Sequence, residues 1–158
     1  MDRYPMTPEG HAALSAELKQ LTSVERPKIS KEIGVAREHG DLKENAEYHA
    51  AKERQGQIEA RIAHLEGMIA RADVIDRRQM GGDRVKFGAY VTLEDIDSGE
   101  QRRYRIVGQE EADIEGGTIS VTSPIARACI NREAGDEVQV RVPAGIRNYE
   151  ITAIAWEP

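Results

Sequence analysis

Apolar and small residues recur in steps of three and four along the first half of the chain, on both sides of one acidic turn. Before His39-Gly40-Asp41-Leu42-Lys43-Glu44-Asn45 they fall at Leu14, Leu18, Leu21, Ile29, Ile33 and Ala36. After it they fall at Tyr48, Ala51, Gln55 (the one polar member), Ile58, Ile62, Leu65, Ile69 and Ala72. Such spacing is the seam of an antiparallel helix pair. The two halves mirror each other: Ala36 pairs with Tyr48, Ile33 with Ala51 and Ile29 with Gln55 about a centre at Leu42. Leu21 with Ile62, Leu18 with Leu65 and Leu14 with Ile69 share a centre half a residue earlier. The pattern predicts one coiled-coil helical hairpin within residues 1–76, with its tip at Leu42. Thr7-Pro8 suits its start, because threonine caps free backbone N–H groups and proline fits the first helical position. Pro27 removes a helical hydrogen bond and bends the first helix. The change of pairing centre across Pro27 predicts a local adjustment of register there. From Leu14 to Leu42 is 28 residues, so the rod reaches roughly 40 Å at about 1.5 Å per residue.

The period changes after Gly81-Gly82-Asp83, and residues 77–83 read as a linker. Beyond it, short β-type runs cover 84–95, 102–107, 118–121, 137–142 and 148–155. Turns are expected at Asp97-Ser98-Gly99, Glu115-Gly116-Gly117 and Pro143-Ala144-Gly145. One short helix is expected from Pro124 to about Asn131, with Ser123 as its cap. Residues 84–158 are therefore expected to form a small antiparallel sheet with one helix, and the whole chain is α+β.

Composition narrows the function classes. A chain of 158 residues with 39% hydrophobic and 32% charged residues makes one ordinary domain or two small ones. No apolar run is long enough to span a bilayer, and Met1-Asp2-Arg3-Tyr4-Pro5 has no apolar signal core, so a cytoplasmic protein with no membrane partner is expected. The single cysteine, Cys129, builds neither an internal disulfide nor a cysteine zinc site. The net charge of −6 is shared evenly, with 11 Lys/Arg against 14 Asp/Glu in each of residues 1–76 and 77–158. Bulk electrostatics therefore argue against binding to duplex nucleic acid. The polar outer faces predict a monomer.

Two readings fit the acidic turn. Gly40 suits the end of a first helix, and Asp41-x-x-Glu44 has the spacing of a capping box for a second. Alternatively, Asp41 and Glu44 lie within one turn and can face one point. Two carboxylates are a poor complete cage for Mg²⁺, which keeps waters and takes phosphate or further carboxylates. They would suit a half-site completed by a partner that already holds a metal and a phosphodiester. Arg37, Lys43, Lys52 and Arg54 surround the turn, either as solvated helix faces or as a small patch for phosphates. His39, His49 and His64 lack the paired spacing of a zinc site. Tyr48 reads as seam packing, and Cys129 as a small buried hydrophobe.

The run AREHGDLKENAEYHAAKE, Ala36 to Glu53, closely resembles the tip of bacterial transcript cleavage factors of the Gre family. The resemblance continues through PMTPEGHAAL, YRIVGQEEAD and SPIARACINREAGDEVQV and covers essentially the whole chain. With few basic residues near the tip, the chain is most similar to the less basic branch of that family. The resemblance implies a coiled-coil hairpin followed by a domain of FKBP-like fold. It implies an accessory factor, not an enzyme, whose partner is RNA polymerase. The globular domain would dock at the rim of the secondary channel through the loop with Ser123 and Pro124. The hairpin would enter the channel, and Asp41 and Glu44 would help hold a second Mg²⁺ for cleavage of the backtracked RNA 3′ end by the polymerase. Arg37 and Lys52 map onto the family's RNA-contacting basic spot. Two alternatives stand against this picture. A prolyl isomerase would need Phe87, Tyr90, Tyr104, Tyr149 and Trp156 to converge on one pocket. Family members that inhibit polymerase differ in the number and spacing of tip acids.

Overall fold

The computed structural model describes residues 3–41 and 45–158. The chain divides into two compact units, His11–Ala72 and Met1–Gly10 with Asp73–Pro158.

The first unit is the expected hairpin. Helix α1 (Pro8–Gln20) passes through a π-helical turn (Leu21–Glu25) into α2 (Arg26–Arg37), and α3 (Ala46–Ala70) returns. Leu14, Ile29, Ile33, Ala36, Ala51, Ile62 and Leu65 are buried, and every other expected seam residue is half-buried, Gln55 included. Ile29, Ile33 and Ala51 form one packed cluster flanked by Tyr48 and Ile58. Met68 is also buried, beside the predicted stripe and not on it. Cross-helix ion pairs flank the seam, Arg61 to Glu17 at 2.7 Å, Arg26 to Glu59 at 2.8 Å and Arg54 to Glu32. Such half-exposed pairs add little stability each, although the Arg61 hydrogen bond holds the Glu17 carboxyl below its ordinary range.

The π turn is the register adjustment. Leu21 to Ile29 is an interval of eight residues, whereas two α-helical turns take about 7.2. One residue must be absorbed, and a π turn absorbs one. The Arg26 N–H reaches back to the Leu21 carbonyl, and Pro27, which has no N–H to place, follows at once. Thr22 adds a side-chain bond to the Leu18 carbonyl at 2.9 Å, a contact that itself loosens a helix.

The second unit is built on a five-stranded sheet. Two short strands not expected from sequence, β1 (Tyr4–Met6) and β2 (Ala72–Val74), pair with each other. They are too short to show a period. The main strands are β3 (Tyr90–Asp95), β4 (Gln101–Val107), β5 (Thr118–Ser120), β6 (Glu137–Val142) and β7 (Gly145–Ala155), in the order β5-β4-β3-β7-β6. Alternation along β3 and β6 buries Val91, Leu93, Val138 and Val140 beneath α4 (Pro124–Cys129), with Ile106, Ile119, Ala126, Cys129 and Ile151 completing the core.

Three details depart from the expected sheet. Residues 84–89 are not strand: the Ala89 N–H turns back to Lys86, Gly88 takes φ +90°, and Val85 bonds across to Arg132. The pair β4–β5 is parallel, because residues 108–117 are a long connection with a helical turn and not a hairpin. Finally, β7 starts at Gly145, since Val142 pairs directly with Gly145 around Pro143-Ala144. At the end of β3, the buried Asp95 accepts hydrogen bonds from the Asp97 and Ser98 N–H groups (2.9 and 3.2 Å) and from Arg147 at 3.3 Å. Those donors, Ser98 foremost, hold its carboxyl below the ordinary range. Among the described residues no helix is long and apolar enough to cross a membrane.

Candidate functional site

The hairpin turn is stitched by a residue that spacing alone does not single out. Helix α2 ends with the Glu38 and His39 N–H groups donating to the Val35 and Ala36 carbonyls, and Gly40 follows at φ +105°. On the far side Asn45 is the cap of α3, its Oδ1 accepting from the Tyr48 N–H at 3.0 Å. The same side chain donates from Nδ2 to the Ala36 carbonyl at 2.6 Å, across the turn. Asn45 therefore serves the end of one helix and the start of the next.

The expected capping box of Asp41 with Glu44 falls partly outside the described residues. Helix α3 begins at Ala46, and its cap is Asn45. The reason is chemical: the position needs a donor and an acceptor at once, and an ionised aspartate has no donor. Asp41 is exposed and lines an open depression with His39, Asn45, Ala46 and Glu47. Glu44, with Leu42 and Lys43, lies outside the described residues. Glu47, an acid in the first turn of α3, joins the depression without having been expected there, although acids favour that helical position.

The expected basic residues behind the turn separate by environment. Arg54 is engaged with Glu32. The Arg37 guanidinium stands 5.9 Å from the centre of the Tyr48 ring, close enough for a cation–π contact. Lys52 lies four residues after Tyr48, on the same face of α3, and its Nζ reaches Gln55 at 3.2 Å. Tyr48 thus packs in the seam and also holds Arg37 beside the turn. Among the described residues no group of three or more His, Cys, Asp or Glu is placed to hold a metal ion.

In the sheet unit, Ser123 caps α4, accepting from the Ala126 N–H at 3.3 Å, and Pro124 follows at the first helical position, exposed. The loop is held by Ser123 N–H to the Ser120 carbonyl and by a 2.7 Å bond between the Ser120 and Thr122 hydroxyls. Cys129 faces the core, where burial pushes its thiol up to about 11. The aromatic residues do not share one pocket. Tyr104, Tyr149 and Trp156 pack on the core. Tyr90 and Trp156 line one recess with Arg77, Met80 and Arg105, and Arg103 and Arg105 stand 4.5 and 5.3 Å from the Tyr90 ring. That is a cationic rim, unlike the apolar pocket a prolyl isomerase needs.

Two family models match the chain: "Transcription elongation factor, N-terminal" over residues 4–74 and "Transcription elongation factor, GreA/GreB, C-term" over residues 80–155. Transcription elongation factor GreA of Hyphomonas neptunium is 59% identical over 157 residues, 99% of this chain and 100% of that protein. The protein of the same name from an Anaeromyxobacter species is 61% identical over 156 residues, 99% of this chain and 94% of its own length. Among solved structures, GreA factor homolog 1 of Thermus thermophilus is 28% identical, with 98% of this chain and 99% of that one covered and a TM-score of 0.46.

Proposed function

Because the chain belongs to the GreA/GreB family of transcription elongation factors, we propose that it binds RNA polymerase and stimulates transcript cleavage in backtracked complexes. In this reading the sheet unit docks at the rim of the secondary channel through Ser123 and Pro124. The hairpin enters the channel as a monomer. The polymerase's own active centre then cuts the extruded RNA and leaves a 3′ end in register.

The observation that carries the reading is the double use of Asn45. With Asn45 as the cap of α3, the start of that helix does not depend on the Asp41 carboxylate. The acidic side chains of the turn can then serve chemistry. Carboxylate oxygens are the hard donors that Mg²⁺ prefers, and two of them leave most of its coordination to water, phosphate and other carboxylates. Asp41 and Glu44 fit that role as ligands shared with the polymerase's aspartates. When bound, the ion would supply Lewis-acid stabilisation of charge on the scissile phosphodiester. Arg37, beside the Tyr48 ring, and Lys52 would meet the phosphates of the extruded RNA. The protein itself places and orients; the polymerase cleaves.

The test uses purified backtracked complexes with Asp41→Asn and Glu44→Gln. Both substitutions keep shape and remove charge. Each variant should bind polymerase like the parent and lose at least about tenfold in cleavage rate, the scale of damage to a metal's ligand environment. Parent-level cleavage by both variants would refute the metal assignment. Cleavage of free RNA by this protein with Mg²⁺ and no polymerase would refute the accessory role.

A further inference from the structure

The stretch that reads as a linker, residues 77–83, is also one wall of a recess. A short helical turn (Arg77–Gln79) opens it, fixed by a complete capping box between Asp76 and Gln79. Met80 then packs where Gly88 has no side chain: a Cβ on Gly88 would stand 2.7 Å from the Met80 Sδ. The Gly82 carbonyl accepts from the Trp156 indole N–H at 3.0 Å. The recess is lined also by Tyr90, Arg105 and Trp156 and encloses about 320 Å³, within the range of small-molecule sites. All of these residues belong to the sheet unit.

Its chemistry is aromatic and cationic together. Tyr90 alternates with Val91 and Leu93, which are buried under α4, so Tyr90 lies on the opposite face of the sheet from the docking loop's helix. The Trp156 indole is half-buried, and its one N–H is bonded to Gly82, so what it can offer a ligand is its ring face. Cross-strand pairing sets Arg105 opposite Tyr90 and Arg103 opposite Thr92. Both guanidinium groups lie near the Tyr90 ring, and each is anchored to a backbone carbonyl, Arg105 to Gly88 at 3.4 Å and Arg103 to Glu157 at 3.0 Å. Among the described residues neither pairs with a carboxylate, whereas Arg77 is engaged with Glu9. A guanidinium held in this way keeps its other N–H donors for an anion and matches phosphate in a fixed fork. The Glu157 carboxylate also lines the recess. Two arginines against one acid leave a net positive charge, so attraction grows with the negative charge of the ligand.

We propose that this recess binds a nucleoside polyphosphate, its base stacked on the Trp156 indole and its phosphates held by Arg105 and Arg103. Stacking on an aromatic face is tolerant of base identity, so nucleotides of different bases should bind alike. An acidic peptide would use the arginines and leave the indole without a partner.

Trp156 is the only tryptophan of the chain, so its fluorescence reports this recess and no other part of the protein. The full chain, without polymerase, is titrated with ADP, GDP, adenosine, pyrophosphate and a tetraglutamate peptide, with calorimetry as a second readout. ADP and GDP should each give a saturable change in emission, with dissociation constants within about threefold of one another. Adenosine and pyrophosphate should bind at least about fivefold more weakly than ADP, because each lacks one half of the contacts. Arg105→Gln should weaken ADP binding roughly tenfold, and Arg103→Gln should weaken it too. Arg141→Gln, which removes an exposed arginine of β6, should bind ADP like the parent. Pyrophosphate binding as tightly as ADP would mean an anion site with no place for a base. Tetraglutamate binding as tightly would mean a dock for acidic peptide. Either result overturns the proposal, as does the absence of a saturable change with ADP or parent-like binding by Arg105→Gln.

Discussion

Replacing Asn45 by alanine removes both stitches of the hairpin turn at once. The lost cap to the Tyr48 N–H costs about 1 kcal/mol, the usual value for an N-cap. The lost bond from Nδ2 to the Ala36 carbonyl, 2.6 Å long and partly buried, costs about another 1 kcal/mol. Together they amount to about 2 kcal/mol, or roughly thirtyfold in the local opening equilibrium at 1.4 kcal/mol per tenfold. The effect should be confined to the turn, because the cluster of Ile29, Ile33 and Ala51 lies behind it. Amide hydrogen exchange reads this directly. In Asn45→Ala the Tyr48 and His49 amides should exchange on the order of tenfold to thirtyfold faster, while the Leu65 amide should hardly change. Asn45→Asp separates the two stitches. It keeps an acceptor for Tyr48, loses the donor to Ala36 and sets a charge against that carbonyl. It should therefore show about half the free-energy loss or somewhat more. Protection at Tyr48 within twofold of the parent in Asn45→Ala would refute the double role. A larger loss in Asp41→Ala would restore Asp41 as the cap.

Deleting Val24, 46% exposed in the π turn, should convert that turn to α-helix and leave the seam in register, with a melting curve close to the parent's. Deleting Ser30 instead rotates every earlier seam residue by about 100° and should melt the hairpin at a clearly lower temperature by circular dichroism. Cys129, its thiol pushed up to about 11 by burial, should resist iodoacetamide at pH 8 in the native protein and react in urea, as read by mass spectrometry. For Asp95 the folded carboxyl lies below its unfolded value, so its stabilisation is fully present above about pH 4 and fades as pH falls through the folded value. Asp95→Asn should flatten the loss of melting temperature between neutral and acid pH; a parent-like acid limb would show that the carboxylate does not contribute.

Particular residues explain why some features are legible in the sequence and others are not. The seam is legible because the steps of three and four from Tyr48 to Ile69 repeat without interruption, and burial follows them. The extra residue between Leu21 and Ile29 is visible as a shift in the pairing centre. Its realisation as a π turn depends on how the backbone disposes of one surplus residue beside a proline. Spacing points to Asp41 and Glu44 for the cap of α3, wrongly, because a capping box is a local rule. Nothing in that rule registers that the Ala36 carbonyl accepts a further bond from across the turn. The parallel β4–β5 pair escapes for a similar reason: Thr118–Ser120 is three residues long, too short for its own pattern to state a direction.

By itself the sequence determined that this chain folds back on itself between Arg37 and Ala46, that acidic residues lie in that stretch, and that a small sheet follows. Those are consequences of periodicity and turn chemistry, which act between neighbours a few positions apart. Only the tertiary structure decided which side chain serves each end of the turn. It also decided that the Glu111 carboxylate, 104 residues distant, accepts from the Thr7 N–H at the start of the first helix. Hydrogen-bond partners are chosen by donor and acceptor capacity at a point in space. The chain reaches that point only after it has folded.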